Sequence, residues 1–302
     1  MSRAAEDRLT ALSEEGRIHH PPRRDAFREA GPVGVAFALR RAADGTGDVF
    51  APTFRAAGAL RLFGLRLEDF FRAHLAGEVA AARDPHPDLH RVDLQKGILA
   101  PVVPLGLLVE VVGGLALGFR MRGQDRVGVV CDSDGATSTG AWHEGLVFAA
   151  ARRCPMVLVV ETGADPAALR RQTRIESFTE KAAGYGVGAA SVEGRDVLAI
   201  SEAVAAAVAA AREGQGVQMV EIRYSGGDPV AYLRGRILDE GLAGEDEILA
   251  VERQAAAECA AAAERVADEA VPAVSERFPG VYTDAERPAR RTWSGPSPTE
   301  AV

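Results

Sequence analysis

Positive charge, paired cysteines and long apolar runs are what this sequence has least of. Lys and Arg number 35 against 43 Asp and Glu, for a formal net charge of −8. A nucleic-acid binder needs a basic face to neutralise phosphates, so nucleic acid is set aside as a partner. The three cysteines, Cys131, Cys154 and Cys259, are far apart and odd in number, with no CxxC pair. They imply neither a zinc site nor a disulfide framework, and a reducing cytoplasm is the simplest setting. The opening residues MSRAAEDR lack the apolar core of a secretory signal. The most apolar stretch, Gly97 to Phe119, is broken by Pro101, Pro104, Glu110 and several glycines. A charge and two helix breakers are costly in lipid, so this reads as a buried helix with a loop before it, and no membrane is expected. No Gly-x-Gly-x-x-Gly turn follows a strand, which counts against a dinucleotide-binding oxidoreductase. There is no internal repeat.

What is present is an alternation of buried strands and helices. Apolar residues make up 47% of the chain, enough for a sizeable core. RVGVVCD, Arg126 to Asp132, and MVLVVE, Met156 to Glu161, are short continuous apolar runs of the kind buried in parallel sheets. Between them Thr139 to Arg153 reads as a helix with Trp142, Leu146, Ala149 and Ala150 on one face, stopped by Pro155. A helix over Glu176 to Tyr185, a strand over Gly188 to Val192, an Ala-rich helix capped by Asp196 and ended by Gly214, and a strand over Val217 to Arg223 follow. The fold class is therefore α/β, a mostly parallel sheet flanked by helices. Residues 1–84 are expected to be mainly helical, including Leu65 to Ala76; 85–227 form the α/β core. Residues 228–283 carry C-terminal helices, opened by Asp228-Pro229 and continued over Glu245 to Ala270, and 284–302 form a tail.

Ligands of a parallel sheet collect beyond the carboxyl ends of its strands. Two such ends are rich in oxygen. Asp132-Ser133-Asp134-Gly135-Ala136-Thr137-Ser138 offers carboxylates, hydroxyls and small residues directly before a helix. Such a loop cradles a phosphate, with a carboxylate holding Mg²⁺ against it; it is equally an acidic turn with a Ser or Thr cap. Glu161-Thr162-Gly163-Ala164-Asp165-Pro166 should be the neighbouring loop.

SDGATSTGAWHEGLVFAAARRCPMVLVVE, Ser133 to Glu161, resembles the signature of the alpha subunits of thiamine-diphosphate-dependent 2-oxo acid dehydrogenases (the pyruvate and branched-chain type). That family reads Gly-Asp-Gly-Ala-Thr-Ser-x-Gly-Asp-x-His-Glu, then helix, strand and Asn-Asn-Gly-Tyr. DVFAPTFRAAG, Pro104-Leu105, RGQDRVGVV, GYGVGAASVEGRDV and DPVAYLRGRILDEGL are similar to further family segments in family order. The resemblance implies a thiamine-diphosphate-binding fold. Phe54, Arg55, Leu105, Asp134, Gly135 and Ala136 would contact the cofactor, and Asp134 with Asp165 would hold Mg²⁺. It implies a beta subunit that brings the activating glutamate, so no catalytic residue is assigned to this chain. A lipoyl-bearing acyltransferase would receive the acyl group. An acetoin-cleaving thiamine enzyme is a related alternative.

Four departures gather on one site. Ser133 replaces the first Gly of the motif, Phe54 replaces a Tyr, and Gly163 stands where the family has its metal-binding Asn. The family's His-bearing loop is cut to RYSGGDP, Arg223 to Pro229. Thr162, Asp132 and Asp165 are the residues that would replace the lost ligand. The other reading these departures allow is a non-catalytic relative acting as a structural or binding partner. His90 and His143 are either near the site or structural.

Overall fold

The computed structural model describes residues 8, 10–11, 14, 30–53, 56–75, 92–102, 104–163 and 165–267. The helix Ala30–Ala38 (α1) precedes the strand Val49–Ala51 (β1), and the helices Ala57–Leu62 (α2) and Leu67–Leu75 (α3) follow it. Leu107–Met121 (α4) leads into Gly128–Ser133 (β2), Gly140–Ala151 (α5) and Met156–Thr162 (β3). Two short helices, Pro166–Gln172 (α6) and Phe178–Ala183 (α7), precede Gly188–Glu193 (β4), Val197–Ala210 (α8) and Gln218–Arg223 (β5). Pro229–Asp239 (α9) and Glu245–Ala267 (α10) complete the described chain.

All strand pairs are parallel, in the order β1-β2-β3-β5-β4. The strand period of two sorts side chains onto two faces. Val129, Cys131, Val157, Val159, Val220 and Ile222 pack with α1, α2 and α8. Val130, Leu158, Val160 and Met219 pack with α4, α5 and α7. Burial on both faces explains why β2 and β3 read as unbroken apolar runs. A third cluster joins Phe71 of α3 to Cys259, Ala262, Ala263 and Val266 of α10.

The caps fall where the sequence puts them. Asp196 accepts from the Leu198 and Ala199 amides, and Asp228 from Val230 and Ala231 with Pro229 at the first helical position. Gly214, at φ 85°, closes the turn that follows α8. Helix α5 ends at Ala151, before Pro155: the chain leaves it through Arg153, at φ 47°. Gly97 to Phe119 is a loop and α4, and among the described residues no helix is long and apolar enough to cross a membrane. The expected helix over residues 176–185 is shorter, because Ser177 caps it and Gly184 ends it.

One element of the N-terminal region departs from the expected helical run. β1 is a three-residue strand at the sheet edge, paired with β2 from Val49↔Gly128 to Ala51↔Val130. Phe50 also donates to Gly97 O and its carbonyl accepts from Leu99 N, so the pairing is tertiary and no local pattern announces it. The strand is held at its start by Asp48, which is fully buried. Its carboxylate accepts from the amides of Arg40 at 2.9 Å and Val127 at 3.0 Å, and from Arg212 Nη2 at 2.8 and 2.9 Å. The tail 284–302 and residues 268–270 of the expected long helix lie outside the described residues.

Candidate functional site

β2 and β3 are neighbours, with Ser133 opposite Glu161, so their two polar ends meet. After β2 the chain forms a 3-10 turn, Asp134–Ser138. Its hydroxyls staple it shut: Thr137 Oγ1 donates to Asp134 O at 2.7 Å and Thr139 Oγ1 to Ala136 O at 2.8 Å. Thr139 Oγ1 also accepts from Trp142 N at 3.3 Å and so caps α5. Turn and cap are thus both present, as one reading of the segment holds. The Asp134 carboxylate accepts from Gly135 N at 2.8 Å. Gly135 is uncrowded: a Cβ there would make only ordinary contact with Ser133 Oγ at 3.8 Å and with Gln172 Oε1 and Leu105 Cδ1 at 3.9 Å. A glycine so placed lets a phosphate approach the main-chain amides more closely than a side chain would.

Leu105 is therefore brought beside Gly135, and it is 45% exposed. The turn before α4 places it. Gly106 has φ 80°, and a Cβ there would stand 2.4 Å from Thr139 Oγ1 and 2.9 Å from Trp142 N. Only glycine lets this loop lie on the first turn of α5. Behind the loop stands Asp132, whose carboxylate accepts from Ser133 N at 3.1 Å and is favoured in its ionised form by the nearby Gly106 amide. Asp132 is 8% exposed, and burial raises its pKa to about 6. Its proton is held more tightly in the folded chain than in the unfolded one. The resulting stabilisation is complete below the unfolded value near 4 and is lost as pH rises through about 6. Asp132→Asn keeps an acceptor and never ionises. In metal-free buffer it should gain about 1–3 kcal/mol at pH 7.5, with the gain fading toward pH 4. Thermal melts at both pH values check this; an equal effect at both would refute the buried-acid account.

At the end of β3, Glu161 is buried and accepts from Tyr224 Oη at 3.3 Å. Thr162 Oγ1 donates to Ile222 O at 3.0 Å. Asp165 is exposed; it caps α6 by accepting from Ala167 N at 2.8 Å and faces Arg171 at 4.0 Å. Each residue named as a substitute metal ligand thus already has a partner, and Gly163 offers backbone only. Among the described residues no three His, Cys, Asp or Glu side chains gather into a metal cluster. Mg²⁺ is commonly held by one or two carboxylates plus a ligand's phosphates, and Asp134 beside Gly135 fits that minimal role. Phe54, Arg55 and His90 lie outside the described residues. The shortened loop after β5 has Gly226 and Gly227 at φ 97° and 89°, and Ser225 Oγ donates to Glu193 at 2.8 Å.

Sequence reasoning passed over a group behind the turn. Lys181 of α7 donates to Thr137 O at 2.5 Å. His143 Nδ1 hydrogen-bonds with Tyr185 Oη, and both rings meet Trp142 edge-on, at 5.4 and 6.1 Å between centroids. Burial, then the charge of Lys181, hold the His143 imidazole below its usual value. His143 is thus tied into the packing behind the turn by Tyr185. Lys181 carries no local signal in the sequence, because its partner lies 44 residues away.

Comparison with known proteins bears on the whole arrangement. The family model described as dehydrogenase E1 component matches residues 1–226. The alpha subunit of acetoin:2,6-dichlorophenolindophenol oxidoreductase of Cupriavidus necator is 29% identical over 229 residues, 73% of this chain and 67% of that one. The pyruvate dehydrogenase E1 component subunit alpha of Bacillus subtilis is 29% identical over 253 residues, 79% of this chain and 63% of that one. The chain thus spans about two thirds of the length of these relatives. The crystal structure of transketolase from Campylobacter jejuni superposes with a TM-score of 0.47 at 14% identity, over 74% of this chain and 36% of that one. With three quarters of its length inside the family model, the chain belongs to the dehydrogenase E1 component family.

Proposed function

We propose that the chain is the alpha subunit of a thiamine-diphosphate-dependent 2-oxo acid dehydrogenase, working with a beta subunit in the cytoplasm and passing its acyl product to a lipoyl-bearing acyltransferase. The observation that carries this reading is the 3-10 turn at the end of β2, with an uncrowded Gly135 next to Asp134 and Leu105 beside it. When bound, the cofactor supplies the carbanion chemistry that decarboxylates a 2-oxo acid. This chain's share is binding and orientation. The amides around Gly135 and Ala136 would receive the diphosphate, Asp134 would hold Mg²⁺, and Leu105 would support the aminopyrimidine ring. Phe54 and Arg55 are proposed to complete the diphosphate contacts. The buried Asp132 stands behind the Leu105 loop, near the Gly106 amide.

One observation favours a second reading, a non-catalytic partner of the same fold. The carboxylate of Asp165 is spent on its own helix, and Gly163 adds no side-chain ligand. Calorimetric titration of thiamine diphosphate with Mg²⁺ into the chain co-expressed with a beta subunit separates the two. Saturable binding that weakens about 10–100-fold in Asp134→Ala, the range seen for disturbed metal sites, supports the enzyme. Gly163→Asn restores an oxygen ligand and should tighten binding about tenfold. A well-folded complex that takes up no cofactor in any variant leaves the structural partner.

A further inference from the structure

Lys181 is a partly buried cation with no carboxylate facing it among the described residues; burial alone lowers its pKa. An ammonium in that setting must be held by other means. Nζ lies 4.9 Å from the centroid of Trp142 and 5.9 Å from that of Phe178, within cation–π range of both rings. Its hydrogen bond goes to the carbonyl of Thr137, which is 1% exposed. That residue's hydroxyl in turn grips Asp134 O, so the contact reaches the front of the turn in two steps.

The helix that carries Lys181 is itself anchored. Ser177 Oγ caps α7 by accepting from Thr179 N at 3.2 Å and donates to the buried Glu221 of β5 at 2.5 Å. The sheet thus fixes α7, and α7 fixes Lys181 against the turn. A charge-assisted bond to a buried carbonyl is stronger than its neutral counterpart, which suits it to fix the shape of a short segment from outside. The turn is held as well by its own 3-10 backbone bonds, by two hydroxyl staples, by the Asp134 carboxylate on Gly135 N and by the bond from Thr139 N to Ala136 O at 3.0 Å.

We propose that Lys181 is a positioning residue for the ligand-binding turn: its ammonium clamps the Thr137 carbonyl and keeps Asp134–Ser138 in the shape that presents Asp134 and Gly135 to a diphosphate. This rests on the reading of that turn as the diphosphate site. Arginine at this position retains the charge, the donor and the stacking; methionine retains only the bulk and the apolar stem.

Hydrogen–deuterium exchange on the full chain tests the clamp without any ligand. In Lys181→Met, peptides covering residues 134–139 should exchange about tenfold faster while the sheet strands and the melting temperature stay near wild type. Thiamine diphosphate with Mg²⁺ should bind about tenfold more weakly to that variant, and Lys181→Arg should restore both readings to within about twofold. The clamp is overturned if residues 134–139 exchange no faster in Lys181→Met, if exchange rises equally across the strands, or if Lys181→Arg fails as Lys181→Met does. A wild-type chain that binds no thiamine diphosphate overturns the cofactor reading instead, and the exchange comparison still decides the clamp.

Discussion

Asp48→Ala should lower the melting temperature by roughly 10 °C or more, the largest stability loss expected of any single substitution here. Asp48 is fully buried, and its two oxygens accept from two backbone amides and from Arg212. Removing one member of a buried pair costs about 3–5 kcal/mol, because the other charge stays behind unpaired. Here the Arg40 and Val127 amides also lose their acceptor, each at about 1–3 kcal/mol if water cannot reach it. Arg212 keeps a contact with Asp125 at 3.1 Å, which softens the loss. Asp48→Asn retains one acceptor oxygen and should fall between alanine and wild type. Replacing Arg212 by leucine in the Asp48→Asn background should recover part of the loss, since it removes the stranded cation. Melting curves of the four proteins decide it; a drop under about 3 °C in Asp48→Ala would mean that the network is incidental.

The second large effect falls on the site. Gly106→Ala places a methyl group 2.4 Å from Thr139 Oγ1 and 2.9 Å from Trp142 Cβ, on a backbone at φ 80°. The left-handed conformation alone costs an alanine about 1–2 kcal/mol, and overpacking adds about 1–3. If the loop stays seated, stability falls by about 3 kcal/mol; if it lifts, Leu105 leaves Gly135 and cofactor affinity falls by about two orders of magnitude. Paired melts and titrations read both routes. Gly114→Ala in the same stretch is the control: its Cβ would meet nothing within 4 Å, and helix propensity favours alanine there by about 1 kcal/mol. A Gly106→Ala protein as stable and as tight-binding as wild type would sink the account of the loop.

What the sequence discloses, and what it withholds, follows the range of the forces involved. β3 is legible because a strand buried on both faces leaves an unbroken apolar run, and the caps at Asp196 and Asp228 are legible because they act within three residues. β1 is not, because three residues carry no period and its partners are Gly128 and Gly97, far along the chain. The turn at Asp134 is visible as a polar strand end, yet the buried state of Asp132 is not, since burial comes from tertiary packing that no local pattern announces. Asp165 illustrates a competition between local and distant partners: two residues before Ala167 and next to a proline, it meets its own helix amide before any ion. Lys181 lies on a six-residue helix whose sequence reads like any other, and only packing against Trp142 gives it a role.

The Asp48–Arg212 bond also has a history in time. Its partners are 164 positions apart, and β1 finds β2 only after Gly128 has been made. At about 5–20 residues per second, a ribosome leaves Asp48 without its guanidinium for roughly 10–30 s. Until residues 128–130 emerge the first edge of the sheet has no resting place, and even once paired it lacks its buried ion pair until Arg212 is made. The first strand to be born is therefore fully anchored only when Arg212 arrives.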